Sequence, residues 1–140
     1  MFISVENKES KRCAVCAFSY LAVSLFCLLF GAVYESFSHG VYSNAMVYAF
    51  AFPLCLGTVP YFGALAFLKK PIPRGAAAHL WAFGIATLTV GSILRGVLEI
   101  YGTDSDLLIA YPIAGGALLA SALTVGVLGC ALGTKNKKSA

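Results

Sequence analysis

Four long apolar runs constrain this chain more than any other feature. They cover about residues 13–34, 45–68, 76–100 and 107–132. A bilayer core roughly 30 Å thick needs about 20 apolar residues in a helix rising 1.5 Å per residue, and each run is that long. In hydrocarbon every backbone polar group needs a partner within the segment, which leaves helices as the solution. The connections are short, so successive helices are expected to pack antiparallel. The expected fold is an all-α membrane protein with four transmembrane helices. A tail over 1–12 precedes the helical domain at 13–134, and a basic tail follows at 135–140.

The charges support this by where they fall. Only 11% of residues are charged and 59% are hydrophobic, against about 25% and 45–50% in a soluble domain. Lys8, Lys11 and Arg12 precede the first run, and Lys69, Lys70 and Arg74 separate the second from the third. Lys135, Lys137 and Lys138 close the chain. Of the basic residues only Arg95 lies inside a run. The net charge of +4 forms no basic stripe interleaved with aromatics, so no nucleic-acid partner is expected.

All three basic clusters fall on one side of the expected bundle. The other side receives "SHGVYSN" and "GTDSD", which hold no Lys or Arg. The positive-inside rule then predicts both termini in the cytoplasm of a bacterial cell, with the chain in its cytoplasmic membrane. Tyr34, Tyr42, Tyr101 and Tyr111 gather at the outer boundary as an aromatic belt would. The first run is longer than the usual 7–15 residues of a signal peptide, so it is expected to stay as a helix.

The two halves resemble each other. "AFPLCLG" (Ala51–Gly57) aligns with "AYPIAGG" (Ala110–Gly116), and helices one and three both end on a glutamate, "GAVYE" at Glu35 and "RGVLE" at Glu99. This pattern predicts two tandem pseudo-repeated helical hairpins, related by an axis along the membrane normal. Pro53, Pro60 and Pro112 each lack an N–H and disturb the carbonyl four residues earlier, so helices two and four are expected to kink there.

The candidate chemistry lies on the glutamate faces. Gly84, Leu88, Gly91, Ser92, Arg95 and Glu99 recur at three- and four-residue steps on helix three, and Ser24, Cys27, Leu28, Gly31 and Glu35 on helix one. Small residues allow close helix approach. The duplication pairs Glu35 with Glu99 and Gly31 with Arg95. An arginine in a membrane helix wants a partner. Glu99 is one turn away, and Glu35 is expected on the neighbouring helix. Two readings stand together. One is a salt bridge that only holds the bundle. The other is an outward-facing polar pocket of Glu35, His39, Arg95 and Glu99, which takes up a proton, an ion or the charged group of a ligand.

No metal site is expected, because His39 and His79 fall on opposite sides and cannot share an ion or a haem. His79 beside Trp81 reads as an interfacial anchor. The sequence names no cofactor. "CAVC" (Cys13, Cys16) opens a membrane helix rather than a βαβ unit, so its redox reading is weak. Cys27, Cys55 and Cys130 read as packing residues. Ala122, Gly126 and Cys130, with Gly129 and Gly133, form ridges on helix four that suit the bundle, a second copy or a membrane-complex partner. There is no P-loop, H-E-x-x-H, G-x-S-x-G or dinucleotide fingerprint, so an enzyme is the weakest class. A ligand- or ion-handling membrane protein, acting in transport, comes first. An accessory or assembly subunit comes second.

Overall fold

The computed structural model describes residues 2–38, 40, 42–64, 66, 75–103 and 105–138, with side chains described between residues 10 and 129 of these. Every element among them is helical. They are α1 (Phe2–Phe37), α2 (Asn44–Val47), a 3-10 turn (Tyr48–Phe50), a π-helical stretch (Pro53–Thr58), α3 (Val59–Gly63), α4 (Ala76–Tyr101), a second 3-10 turn (Asp106–Ile109) and α5 (Ala110–Lys138).

Four segments are long and apolar enough to cross a membrane: Ser10–Phe37, Asn44–Gly63, Ala76–Tyr101 and Asp106–Gly129. The third matches the expected bounds within a residue. Helix α1 reaches back to Phe2, so helical backbone continues through residues expected as a tail. The basic loop with Lys69, Lys70 and Arg74 lies outside the described residues, and the apolar helical span before it runs to Gly63.

Large apolar side chains point outward along the spans. Phe18, Phe26, Leu29, Val127 and Leu128 are all more than half exposed. A soluble monomer rarely shows contiguous apolar patches above a few hundred Å², whereas lipid accepts them. The architecture is that of a small integral membrane protein.

Packing follows chain order. Among the described residues the extensive contacts join α1 to the second span, the second span to α4, and α4 to α5. The second span and α4 are therefore central, and α1 and α5 flank them. Accordingly only 17% of the first span's apolar window and 11% of the fourth's are buried, against 33% and 28% for the middle two.

Glycines set the α4–α5 contact. A Cβ on Gly84 would sit 2.8 Å from Leu119 Cγ, and one on Gly115 would sit 2.6 Å from Leu88 Cγ. A Cβ on Gly91 would collide with Tyr111 Cβ. Each helix thus lays a leucine or tyrosine over a glycine of the other, the close approach that small residues permit. Helix α4 stops at Gly102, whose φ of 71° is the left-handed conformation that a side chain would strain. Its N–H reaches the Glu99 carbonyl, and the Thr103 N–H reaches that of Leu98 at 3.0 Å. This is the closing pattern expected of a helix that ends on glycine.

The second span is irregular, and its prolines coincide with the irregularity. Pro53 opens the π-helical stretch, and Pro60 follows just after it closes. Pro60 has no N–H to give the Leu56 carbonyl, its ordinary helical acceptor. Trp81 on α4 supplies the donor instead, with Nε1–H reaching Leu56 O at 2.8 Å. Ser24 of α1 donates to Phe50 O at 3.0 Å, and Ser92 of α4 donates to Ala45 O at 2.6 Å. Neighbouring helices thus satisfy carbonyls of the broken span, as hydrocarbon demands. Pro112 occupies the third position of α5, where the 3-10 turn gives way to α-helix.

Candidate functional site

Glu35, Arg95 and Glu99 lie near the ends of α1 and α4, and Ser43 starts the second span. It does so from an extended conformation (φ −115°, ψ 120°), and its Oγ accepts the Met46 N–H at 3.3 Å. A serine in this position satisfies one of the unpaired donors of a helix start, worth about 1 kcal/mol. The same hydroxyl donates to Glu99 Oε2 at 2.6 Å. The other carboxylate oxygen of Glu99 accepts from Arg95 Nε at 3.0 Å. A continuous chain therefore runs from Arg95 through Glu99 and Ser43 to the backbone of the second span.

Packing reinforces that link. Met46 is almost fully buried between two glycines. A Cβ on Gly96 of α4 would lie 2.7 Å from Met46 Cβ, and one on Gly31 of α1 would lie 3.4 Å from Met46 O. One methionine thus fills the space where three helices meet. Ser43 beside it is 1% exposed, so its hydroxyl has to be bonded, as both of its contacts provide.

Of the four expected site residues, two meet directly. Arg95 and Glu99 pair along one helix face, with side chains 65% and 40% exposed. An exposed pair of this kind contributes only about 0.3–0.5 kcal/mol in water. Glu35 stands apart from that pair. It is half-buried, and its Oε1 is shielded from solvent with no hydrogen-bond partner among the described residues. Its backbone carbonyl accepts the Ser38 hydroxyl at 2.7 Å. His39 lies outside the described residues.

A cavity of about 430 Å³ lies between the last two turns of α1 and the end of α4. Phe30, Tyr34, Phe37 and Tyr101 give it aromatic walls, and Ser38 gives it a hydroxyl. The Phe30 and Tyr34 rings tilt against each other with centroids 6.0 Å apart. Of the expected tyrosine belt, Tyr42 and Tyr101 are about three-quarters exposed. Tyr34, like Tyr101, lines the cavity, and Tyr111 covers Gly91.

Elsewhere, Cys27 is buried as a packing residue, whereas Cys55 faces outward, and Cys13 and Cys16 are free and half-buried. Trp81, two residues after the expected anchor His79, donates to Leu56 O. Sequence reasoning placed Ser24 and Ser92 on the glutamate faces but missed their bonds to the second span, and it missed Ser43 and Met46. "YSN" before an apolar run is a helix-start signal, so Ser43 could have been found. Its second bond to Glu99 depends on tertiary placement alone.

No protein-family model matches this chain, and no curated protein or solved structure is significantly similar to it.

Proposed function

We propose that the chain is a small integral membrane protein, N-in/C-in, whose acidic end faces outward and binds a small charged ligand or cation. In an oligomer the same site would serve transport. The orphaned Glu35 Oε1 carries this reading. A buried acceptor without a partner is uncommon in folded proteins, and in a membrane span such a group is a functional candidate by default. Glu99 is already engaged by Arg95 and Ser43, so Glu35 is the carboxylate left to meet a ligand. The tandem-repeat reading belongs to the same proposal, supported by "AFPLCLG" and "AYPIAGG" and by the matched glutamates.

The test is thermal melting of the purified protein in nanodiscs with sodium, potassium or calcium chloride added at matched ionic strength. The wild type is expected to gain stability with one of them. Glu35→Gln should fold, melt within a few degrees of wild type, and lose that gain. A large drop in melting temperature for Glu35→Gln, with no salt selectivity in the wild type, would assign Glu35 a packing role.

A second reading is an accessory or assembly subunit. It is favoured by the Arg95–Glu99–Ser43 chain, which is satisfied within the molecule, and by the open flanks of α1 and α5. Cysteine substitution at Gly129, where a side chain would meet nothing within 4 Å, tests it. Efficient cross-linking between copies or to a partner in native membranes would support this reading.

A further inference from the structure

The two spans that flank α4 leave a notch along it. Gly91 faces Tyr111 of α5, and Gly96 faces Met46 of the second span. A helix turns about 100° per residue, so Arg95 and Glu99 point between those two directions. Among the described residues α5 and the second span share no extensive contact. The notch between them is therefore open, and the side chains of Arg95 and Glu99 are 65% and 40% exposed in it.

Depth decides what such a pair meets. Helix α4 has 26 residues, about 39 Å at 1.5 Å per residue. A hydrocarbon core of about 30 Å leaves roughly 4–5 Å of a centred helix beyond each boundary. Arg95 lies six residues before Tyr101, the last of α4, so its Cα stands about 4–5 Å inside the core. Glu99, one turn nearer the boundary, holds the Arg95 Nε at 3.0 Å. A long cationic side chain tethered in that direction brings its charge to the headgroup layer.

The unused atoms define the ligand. Arg95 gives its Nε–H to Glu99, and its terminal nitrogens have no acceptor among the described residues. Their N–H groups form a planar fork that matches two oxygens of a phosphate. Each Glu99 oxygen accepts one bond, from Arg95 or from Ser43, and keeps a lone pair. A group bearing only a phosphate would meet the carboxylate beside the arginine, and a lone cation would meet the arginine. A headgroup with a phosphate and a protonated amine sets opposite charge against opposite charge at both. We infer that this notch binds the headgroup of a phospholipid carrying a primary ammonium, such as phosphatidylethanolamine, in the leaflet at the Tyr101 end of α4. The phosphate takes the free edge of the Arg95 guanidinium, and the ammonium takes Glu99. This goes beyond the ligand reading at Glu35, which has its own salt response as a test.

The experiment is native mass spectrometry of the full chain released from detergent micelles. It is titrated with phosphatidylethanolamine, phosphatidylcholine and phosphatidylglycerol of one acyl composition. Phosphatidylethanolamine should bind at least about tenfold more tightly than either, since choline has no N–H to donate and the glycerol headgroup has no cation. Arg95→Gln should weaken it about tenfold or more. Arg95→Lys keeps the charge without the fork and should weaken it about threefold to tenfold, so the test survives if Arg95→Gln does not fold. Glu99→Gln should bring phosphatidylglycerol level with phosphatidylethanolamine or above it, a reversal that a purely structural role would not produce. Equal binding of the three lipids, or binding unchanged in both Arg95 variants, would overturn the inference. Displacement of bound lipid by free phosphoethanolamine at equal concentration would give the notch to a soluble zwitterion instead. A second copy of the chain retained without lipid, and lost in the Arg95 variants, would give the guanidinium to a protein neighbour and equally overturn the lipid.

Discussion

The first two spans and the last two are held together differently. In the last two, α4 and α5 are regular helices that meet glycine to leucine. In the first two, α1 is regular but its partner passes through α, 3-10, π and α geometry within twenty residues, Asn44–Gly63. The prolines in the segments Ala51–Gly57 and Ala110–Gly116 show the reason. Pro53 is buried at the opening of the π stretch, with Pro60 a further seven residues on. Pro112 is exposed in the first turn of α5 with no second proline after it. A proline near a helix start removes a donor that has little use there. One inside a helix frees a carbonyl that another element must satisfy. The regular hairpin needs only close contact, whereas the irregular one needs hydrogen bonds from both neighbours.

The largest effect is expected where contact alone holds the pair. Gly115→Leu would drive a side chain into Leu88 and the Gly84 carbonyl. Overpacking of this kind costs about 3 kcal/mol. Unfolding in mixed micelles by SDS titration should show that loss, with α4–α5 cross-links disappearing first. If Gly115→Leu melts like wild type, the two helices do not meet at these glycines.

Next in size is the bond that compensates Pro60. Trp81→Phe leaves Leu56 O without its donor and should cost about 1–3 kcal/mol. Pro60→Ala returns an N–H at the ordinary helical position. In the double variant the loss from Trp81→Phe should shrink by more than half, so the cycle reads the coupling directly. Strict additivity would mean that Trp81 stabilises the span by packing rather than by replacing the missing donor.

The four spans were legible in the sequence because length and apolar content suffice to define a membrane helix. The helix start at Ser43 and stop at Gly102 were legible in principle, since each is a local signal. The Arg95–Glu99 pair was open to expectation because one helical turn separates them. The separateness of Glu35 was not. Its partnership with Arg95 was expected from matching the halves, but Glu99 holds Arg95 along its own helix and Ser43 takes the other oxygen. The π stretch was also hidden. Sequence shows that prolines disturb the backbone, and only the neighbours decide whether the carbonyls are satisfied by a kink or by Trp81, Ser24 and Ser92.

Ser43 sharpens the comparison on a smaller scale, because it joins the irregular span to the regular hairpin. Ser43→Ala removes both the helix-start bond to Met46 and the link to Glu99. The loss should be about 1 kcal/mol, seen as a modest fall in melting temperature. Ser43→Thr keeps the hydroxyl and should recover most of it. Faster hydrogen exchange at Asn44–Met46, with the amides of α4 unchanged, would locate the damage at the start of the second span.

The smallest expected effect tests the two hairpins at one aligned position. Gly57 and Gly116 close the similar segments Ala51–Gly57 and Ala110–Gly116. A Cβ on Gly57 would lie 2.5 Å from Tyr20 Cγ, whereas one on Gly116 would meet nothing within 4 Å. In the second segment the tight glycine is the preceding one, Gly115. Gly57→Ala should therefore destabilise. Gly116→Ala should stabilise by about 0.5 kcal/mol, because alanine loses less backbone freedom than glycine in a helix. Opposite signs from the same substitution would show that two similar segments sit in two different packings. If both variants destabilise, the open side of Gly116 is covered in the membrane by another helix, and α5 is an interface rather than a lipid-facing edge.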